Sequence, residues 1–354
     1  HQRKRRIIHR AHSLSRHCTG SALSHGSTPL LREEEEASVG HCNPAYVSMP
    51  NALARARALR PPVPVRTYGG EHEANDFWDK NEPLIQQALK ELGPLHEEVY
   101  APRQLQDVYR AEVVAALEQP DQTHRIRALR ALVEPTNVPG VWALPLLSRD
   151  FCHKLLEEMA HLRKSGVPLR RPNGMNRFGA ILTSLGFQEG LLEQLARHIV
   201  RPLANALYPQ WVQGSEVEEV FGFLVRYDLT GDVELAEHAD AACVTLNVCL
   251  GPEEPGGLGR QGFQGGNLVF RGVRFQDEDA STRPQKAIEQ KVGVAILHLG
   301  QHLHQAERIT KGERENLIMW LTGKGGWVRV RPYSFINATG KWSETPFDEK
   351  LSMK

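Results

Sequence analysis

At 354 residues, 40% of them hydrophobic and 24% charged, the chain is long enough to bury one large core or two modest ones and too apolar to be disordered throughout. Its 43 Lys and Arg against 42 Asp and Glu leave a net charge of +1, which excludes a global electrostatic pull toward nucleic acid or membrane. Five cysteines, an odd number with no Cys-x-x-Cys pair, argue against a disulfide framework or a zinc site and for a reducing, intracellular setting.

Residues 1–66 show no sustained periodicity. A basic cluster at Arg3-Lys4-Arg5-Arg6, an acidic run from Glu33 to Glu36 and Pro61-Pro62-Val63-Pro64 read as a disordered basic and acidic tail with a Pro-rich linker. The basic cluster has the composition of a nuclear-import patch, but a disordered end is the plainer reading. No leader core is expected near the start. The longest apolar runs, such as Leu317 to Leu321, are far too short to cross a bilayer.

Residues 67–165 read as helical. Leu84, Ala88 and Leu92 recur at four-residue spacing, and Leu105, Val108, Val113 and Leu117 place a second helix over 104–118. Ser148 is the expected N-cap of a helix bearing Phe151, Leu155, Met159 and Leu162, with Gly166 as its stop. A further helix carries Leu191, Leu195 and Ile199 inward, and Pro202 is expected to kink or end it.

Residues 166–332 read as the main domain, and within it, after Val217, the period shifts to two. Phe221, Phe223, Val225 and Tyr227 alternate with Val220, Gly222, Leu224 and Arg226. From Cys243 to Leu250 the alternation is clean: Val244, Leu246, Val248 and Leu250 share one face, and Cys243, Thr245, Asn247 and Cys249 the other. Cys243 and Cys249 read as small buried hydrophobes. Strand-like pieces follow at Asn267–Arg271, Gly293–Leu299, Leu303–Ile309 and Arg314–Thr322, with Lys311-Gly312-Glu313 as a turn; residues 333–354 form a C-terminal tail. Helices first and many short strands afterwards predict an α+β fold, a double-stranded β-helix (jelly-roll) core buttressed by N-terminal helices.

Within that strand region lies the set His238-Ala239-Asp240, His304 and Arg314. Two imidazoles and one carboxylate on one face suit an open-sided Fe(II) site, because three ligands leave positions for co-substrate and oxygen. A permanently charged Arg offers a forked donor for a carboxylate. The His-x-acid spacing alone carries little: composition predicts about two chance occurrences. Two are present, the other being His96-Glu97-Glu98, read as a solvated helical face. Context favours His238 and Asp240, which sit at a strand end, while His304 opens a strand near the other end of the domain. His298 and His302 share its parity; they read as a packed or surface histidine and a turn residue.

With its flanking text, this pattern resembles the 2-oxoglutarate- and Fe(II)-dependent dioxygenases, within the prolyl and lysyl hydroxylase-like group. The supporting stretches are Val225-Arg226-Tyr227, His238 to Val248, Gly265 to Phe270, and Leu297-His298-Leu299-Gly300 leading to His304 and Gly312-Glu313-Arg314. The resemblance implies that His238, Asp240 and His304 hold the iron and that Arg314 binds the distal carboxylate of 2-oxoglutarate. It also implies O2 as the oxidant, ascorbate as a helper, and hydroxylation of an unidentified prime substrate, a peptidyl side chain among the candidates, with 2-oxoglutarate converted to succinate and CO2. Tyr227, Thr245 and Asn247 are candidates for contacts to the co-substrate or to the ligands, with cross-strand hydrogen bonding as the alternative. Arg170 and Arg171 read as a substrate mouth or as solvated charge. Two rivals remain at this point. One is a nucleic-acid oxygenase on the same chemistry, although Ile318 and Trp320 stand where that branch carries a Thr and a second Arg, and the charge balance speaks against it. The other is a catalytically silent jelly-roll module that binds a protein partner.

Overall fold

The computed structural model describes residues 51–62, 71–209, 212, 217–252, 262–273, 284–326 and 328. The basic cluster, the acidic run and the C-terminal tail lie outside them. Among the described residues no helix is long and apolar enough to cross a membrane.

Helices come first. They are α1 (Ala52–Arg57), α2 (Glu71–Leu92), α3 (Glu97–Tyr100), α4 (Ala111–Leu117), α5 (Gln122–Leu132) and α6 (Arg149–Lys164). Helix α1 stands inside the stretch expected as disordered tail. Its reason is burial: Ala52 and Ala56 pack with Ile85 and Ala88 of α2, and the Asn51 side chain caps it by accepting from the Ala54 N–H. The helix expected over 104–118 is broken. Leu105–Asp107 forms a single turn, Tyr109 then pairs with Leu147 as an isolated bridge, and α4 begins only at Ala111. Tertiary pairing overrode the helical period there.

Helix α6 is the main buttress. The Ser148 hydroxyl accepts from the Phe151 N–H at 3.1 Å, Asp150 lies in the first turn, and His161, Arg163 and Lys164 lie in the last, matching the helix dipole. Gly166 follows at φ 75°. Phe151, Leu155, Leu156, Met159 and Leu162 form its buried stripe. From the last turn Arg163 grips the buried Glu315 carboxylate with two N–H groups, at 3.1 and 2.7 Å, which ties α6 to the strand carrying Arg314. The later helical stretch runs through a π-helical turn at Gln188–Leu192, one α turn (α7, Glu193–Leu195), a second π turn at Ala196–Val200, and α8 (Arg201–Leu207). Pro202 does not end this stretch, which continues to Leu207. It occupies the first turn of α8, just after the widened π turn, where its missing N–H is tolerated.

The strands are β1 (Glu134–Pro135), β2 (Trp142–Pro145), β3 (Gly179–Ile181), β4 (Glu219–Asp228), β5 (Leu235–His238), β6 (Val244–Gly251), β7 (Gln264–Gly265), β8 (Leu268–Val273), β9 (Lys286–Ile288), β10 (Val294–Leu299), β11 (His302–Ala306), β12 (Ile309–Lys311) and β13 (Glu313–Thr322). They form a seven-stranded sheet in the order β1-β2-β10-β6-β13-β4-β3, a four-stranded sheet β5-β11-β8-β9 and a pair β12-β7, all antiparallel. Val244, Leu246 and Val248 of β6 share one core with α6 and α8. On the other face, Ile296 of β10 packs with Leu268 and Phe270 of β8, and Phe223, Val225 and Ile318 pack with Ala306 and Ile309. The seven-stranded sheet therefore has helices on one side and the smaller sheet on the other. β6 is accordingly buried along its whole length. Cys152, Cys243 and Cys249 are buried thiols outside any disulfide; Cys18 and Cys42 lie outside the described residues.

Candidate metal centre

His238 ends β5, and His304 stands directly opposite it on β11. Strand register thus brings together two imidazoles far apart in sequence, with ring centroids 4.4 Å apart. His304 is the middle residue of β11 rather than its opening one. Asp240 lies two residues past the end of β5, where its backbone N–H donates to the Gly300 carbonyl at 2.8 Å. A Cβ on Gly300 would collide with the Ala242 carbonyl, so this crossing of chains needs glycine. One ligand atom from each of His238, Asp240 and His304 lies within 4.8 Å of the others. Among the described residues this is the one such group of three or more. His96, from the competing His-x-acid motif, bonds Glu157 at 2.8 Å between α3 and α6, so it joins two helices and is not a solvated face.

The protonation pattern suits a cation. His238 Nδ1 and His304 Nδ1 each donate to a backbone carbonyl, of Ala236 and His302, both at 2.8 Å. A carbonyl accepts only, so each Nδ1 carries the proton and each Nε2 is left as the ligand atom. His304 Nε2 lies 3.7 Å from Asp240 Oδ2, and His238 Nε2 lies 3.5 Å from Oδ1. Burial pushes His304 down to about 3, which keeps it neutral at pH 7. Burial opposes the charge on Asp240, but the surrounding imidazoles, His304 foremost, hold its pKa well below the usual carboxylate range. Burial also disfavours a proton on His238, yet Asp240 outweighs it and raises that pKa. A divalent cation at Nε2 would compete with a proton there.

Two residues around Asp240 complete the picture. The Thr245 hydroxyl donates to Oδ2 at 2.6 Å, which fixes the carboxylate. His298 is wholly buried, not exposed. Its Nδ1 bonds the Leu299 carbonyl, and its Nε2, without a hydrogen-bond partner among the described residues, lies 4.0 Å from Asp240 Oδ2. His302 is no turn residue: it is buried within β11, its ring 5.9 Å from Phe270.

His238, Asp240 and His304 line one cavity, partly open to solvent, with Tyr227, Thr245, Asn247 and Arg314. Arg314 is 2% exposed. Its guanidinium carbon sits 5.0 Å from the Tyr227 ring centroid and 5.7 Å from that of Phe263, and Nη1 donates to the Gly266 carbonyl. A Cβ on Gly266 would come within 2.6 Å of Nη1, so glycine there leaves room for the guanidinium. Among the described residues no carboxylate pairs with Arg314, and its Nε has no hydrogen-bond partner. A buried cation so placed wants an anion. Asn247 does take part in cross-strand bonding: its Oδ1 accepts from Asn316 Nδ2 at 2.6 Å. Asn316 and Trp320 also line the cavity. Their parity with Arg314 along β13 was the available sequence signal. Asn173 and Asn176 line it too, from a loop with no periodicity to reveal them. Arg171 turns its guanidinium back on its own loop, to the Asn173 and Gly174 carbonyls at 2.9 and 2.8 Å.

Residues 89–213 match a protein-family model described as "OGFOD2-like domain". The chain is 36% identical over 259 residues to 2-oxoglutarate and iron-dependent oxygenase domain-containing protein 2 of Mus musculus, covering 71% of this chain and 69% of that protein. It is 35% identical over 230 residues to the Xenopus tropicalis protein of the same name, covering 64% and 62%. The chain thus spans less than two thirds of the frog relative's length. Among solved structures it is similar to a prolyl hydroxylase from Trichoplax adhaerens in complex with a hypoxia inducible factor peptide fragment, at a TM-score of 0.39 and 14% identity over 58% of this chain and 96% of that one. That last likeness is too slight to bear weight.

Proposed function

The chain belongs to the family of 2-oxoglutarate and iron-dependent oxygenase domain-containing protein 2, and from that premise we propose that it is an Fe(II)- and 2-oxoglutarate-dependent dioxygenase built on a double-stranded β-helix. His238, Asp240 and His304 would hold the metal, and Arg314 would bind the distal carboxylate of the co-substrate. The observation that carries this reading is the donor set. Two imidazoles have their Nδ1 protons committed to carbonyls and their Nε2 atoms gathered around one ionised carboxylate. Two neutral nitrogens and one hard oxygen suit Fe(II) and leave other positions free.

Fe(II), when bound, supplies the oxygen chemistry that couples conversion of 2-oxoglutarate to succinate and CO2 with hydroxylation of a second substrate. The protein's own residues position and insulate. Thr245 fixes Asp240, Arg314 would neutralise one carboxylate of the co-substrate and, with Tyr227, orient it, and Phe223, Val225, Leu268 and Ile318 give the cavity dry walls. Ascorbate is the expected helper, and a peptidyl side chain the expected target. A nucleic-acid target is not favoured, since Ile318 and Trp320 line the cavity wall and give it no second cation.

The test is thermal. Mn(II), a redox-silent stand-in, is expected to raise the melting temperature, and 2-oxoglutarate to raise it further only once Mn(II) is present. A melting temperature that ignores both would overturn the reading.

A further inference from the structure

We propose that Asn173 and Asn176 are positioning residues that aim the Tyr227 hydroxyl proton into the cavity as a donor to a ligand carboxylate. This rests on the reading of the cavity as a 2-oxoglutarate site. The argument is one of hydrogen-bond polarity, and it starts from groups whose direction admits no choice. The backbone N–H groups of Met175 and Asn176 can only donate, and both meet the Asn173 side chain, at 2.8 and 2.7 Å. That side-chain atom is therefore the oxygen, and the other is the NH2. This NH2 donates at 3.1 Å to Asn176, whose facing atom must then be its oxygen. The NH2 of Asn176 is thereby left facing Tyr227, 3.4 Å from the hydroxyl oxygen. The Tyr227 oxygen accepts, so its own proton points elsewhere.

Where it points follows from what surrounds it. Tyr227, Asn173 and Asn176 all line the cavity. The neighbouring cation, Arg314, stacks on the Tyr227 ring and has no acceptor to offer. Burial raises the Tyr227 pKa, so the hydroxyl keeps its proton at neutral pH. A buried O–H beside a buried guanidinium, both bordering one cavity, makes a two-donor seat for a carboxylate.

The relay is also held rigidly. Asn176 is 1% exposed. On its far side the Asp232 carboxylate accepts from the backbone N–H groups of Arg177 and Phe178, at 2.6 and 3.1 Å, and pairs with the Arg177 guanidinium at 3.0 Å. The backbone that follows Asn176 is thus tied down, so its amide stays between Asn173 and Tyr227 and can change only by exchanging its two ends.

Asn173→Asp tests this with minimal disturbance. Aspartate keeps an oxygen for the two backbone N–H groups and suits the same turn. Its second oxygen, however, now accepts. Asn176 must then turn its NH2 toward residue 173 and its oxygen toward Tyr227, which captures the hydroxyl proton. Calorimetry with Mn(II) present is expected to show 2-oxoglutarate binding about tenfold weaker, with Mn(II) affinity unchanged within about twofold. In a Tyr227→Phe background the same substitution should cost less than about twofold, whereas a general charge effect would persist there. Asn176→Ala, which removes the donor and spares the turn, should weaken binding less and likewise lose its effect in that background. Wild-type affinity in Asn173→Asp, or losses undiminished in the Phe background, would overturn the relay. If Tyr227→Phe and Arg314→Ala also leave 2-oxoglutarate binding untouched, the reading of the cavity itself fails. If they weaken it and Asn173→Asp does not, the relay alone fails.

Discussion

Arg314→Ala is expected to weaken 2-oxoglutarate binding by about a hundredfold or more while Mn(II) affinity stays within about twofold. The size follows from burial. A carboxylate that has left water for a dry cavity loses about 2–5 kcal/mol when its charged partner is removed, and each 1.4 kcal/mol is about tenfold. The selectivity follows from placement, because Arg314 is not among the three residues whose ligand atoms converge. Arg314→Lys should recover little. The guanidinium lies close to the Tyr227 and Phe263 rings and bonds the Gly266 carbonyl, and a lysine ammonium offers neither the planar face nor the fork. Calorimetry with Mn(II) and then 2-oxoglutarate measures both constants on one sample. Equal loss of metal and co-substrate would mean that Arg314 supports the fold of the site and not the ligand.

Asp240→Asn is expected to abolish the Mn(II)-dependent rise in melting temperature, with metal affinity falling more than a hundredfold, beyond the ~10–100-fold typical of losing a group that merely orients a ligand. Asparagine keeps the shape of the side chain and can still accept from the Thr245 hydroxyl. It removes the charge that a divalent cation needs. The metal-free variant should melt lower than the wild type, because the imidazoles that hold Asp240 charged make the ionised carboxylate stabilising in the fold. A Mn(II)-dependent rise that survives in Asp240→Asn would instead assign Asp240 to the fold alone.

Several parts of this architecture were legible in the residues. The alternation from Val244 to Leu250 predicted β6, and the cap at Ser148 and stop at Gly166 bounded α6 closely, because each reports a local constraint that the tertiary structure respects. Where a tertiary contact won, the pattern misled. The 104–118 helix gave way to the Tyr109–Leu147 bridge, and α1 forms in a stretch with no periodicity because α2 buries two of its alanines. The site divides in the same way. Residue type and spacing singled out His238, Asp240, His304 and Arg314, and the structure brings them to one cavity. What spacing could not supply was register. The pairing of His304 with His238 across two strands gathers the candidate ligand residues, and the burial of His298 beside Asp240 depends on β10 lying against β6. The polarity of the Asn173–Asn176–Tyr227 chain depends on backbone amides in a loop that sequence periodicity does not reach.

The most direct measurement is succinate formed from 2-oxoglutarate by the purified chain with Fe(II), ascorbate and oxygen, with no second substrate added. Slow uncoupled turnover above background is expected, abolished by His304→Ala, which deletes one of the two nitrogens around Asp240. Succinate at background level from a protein that binds both Mn(II) and 2-oxoglutarate, or turnover that survives His304→Ala, would contradict the account.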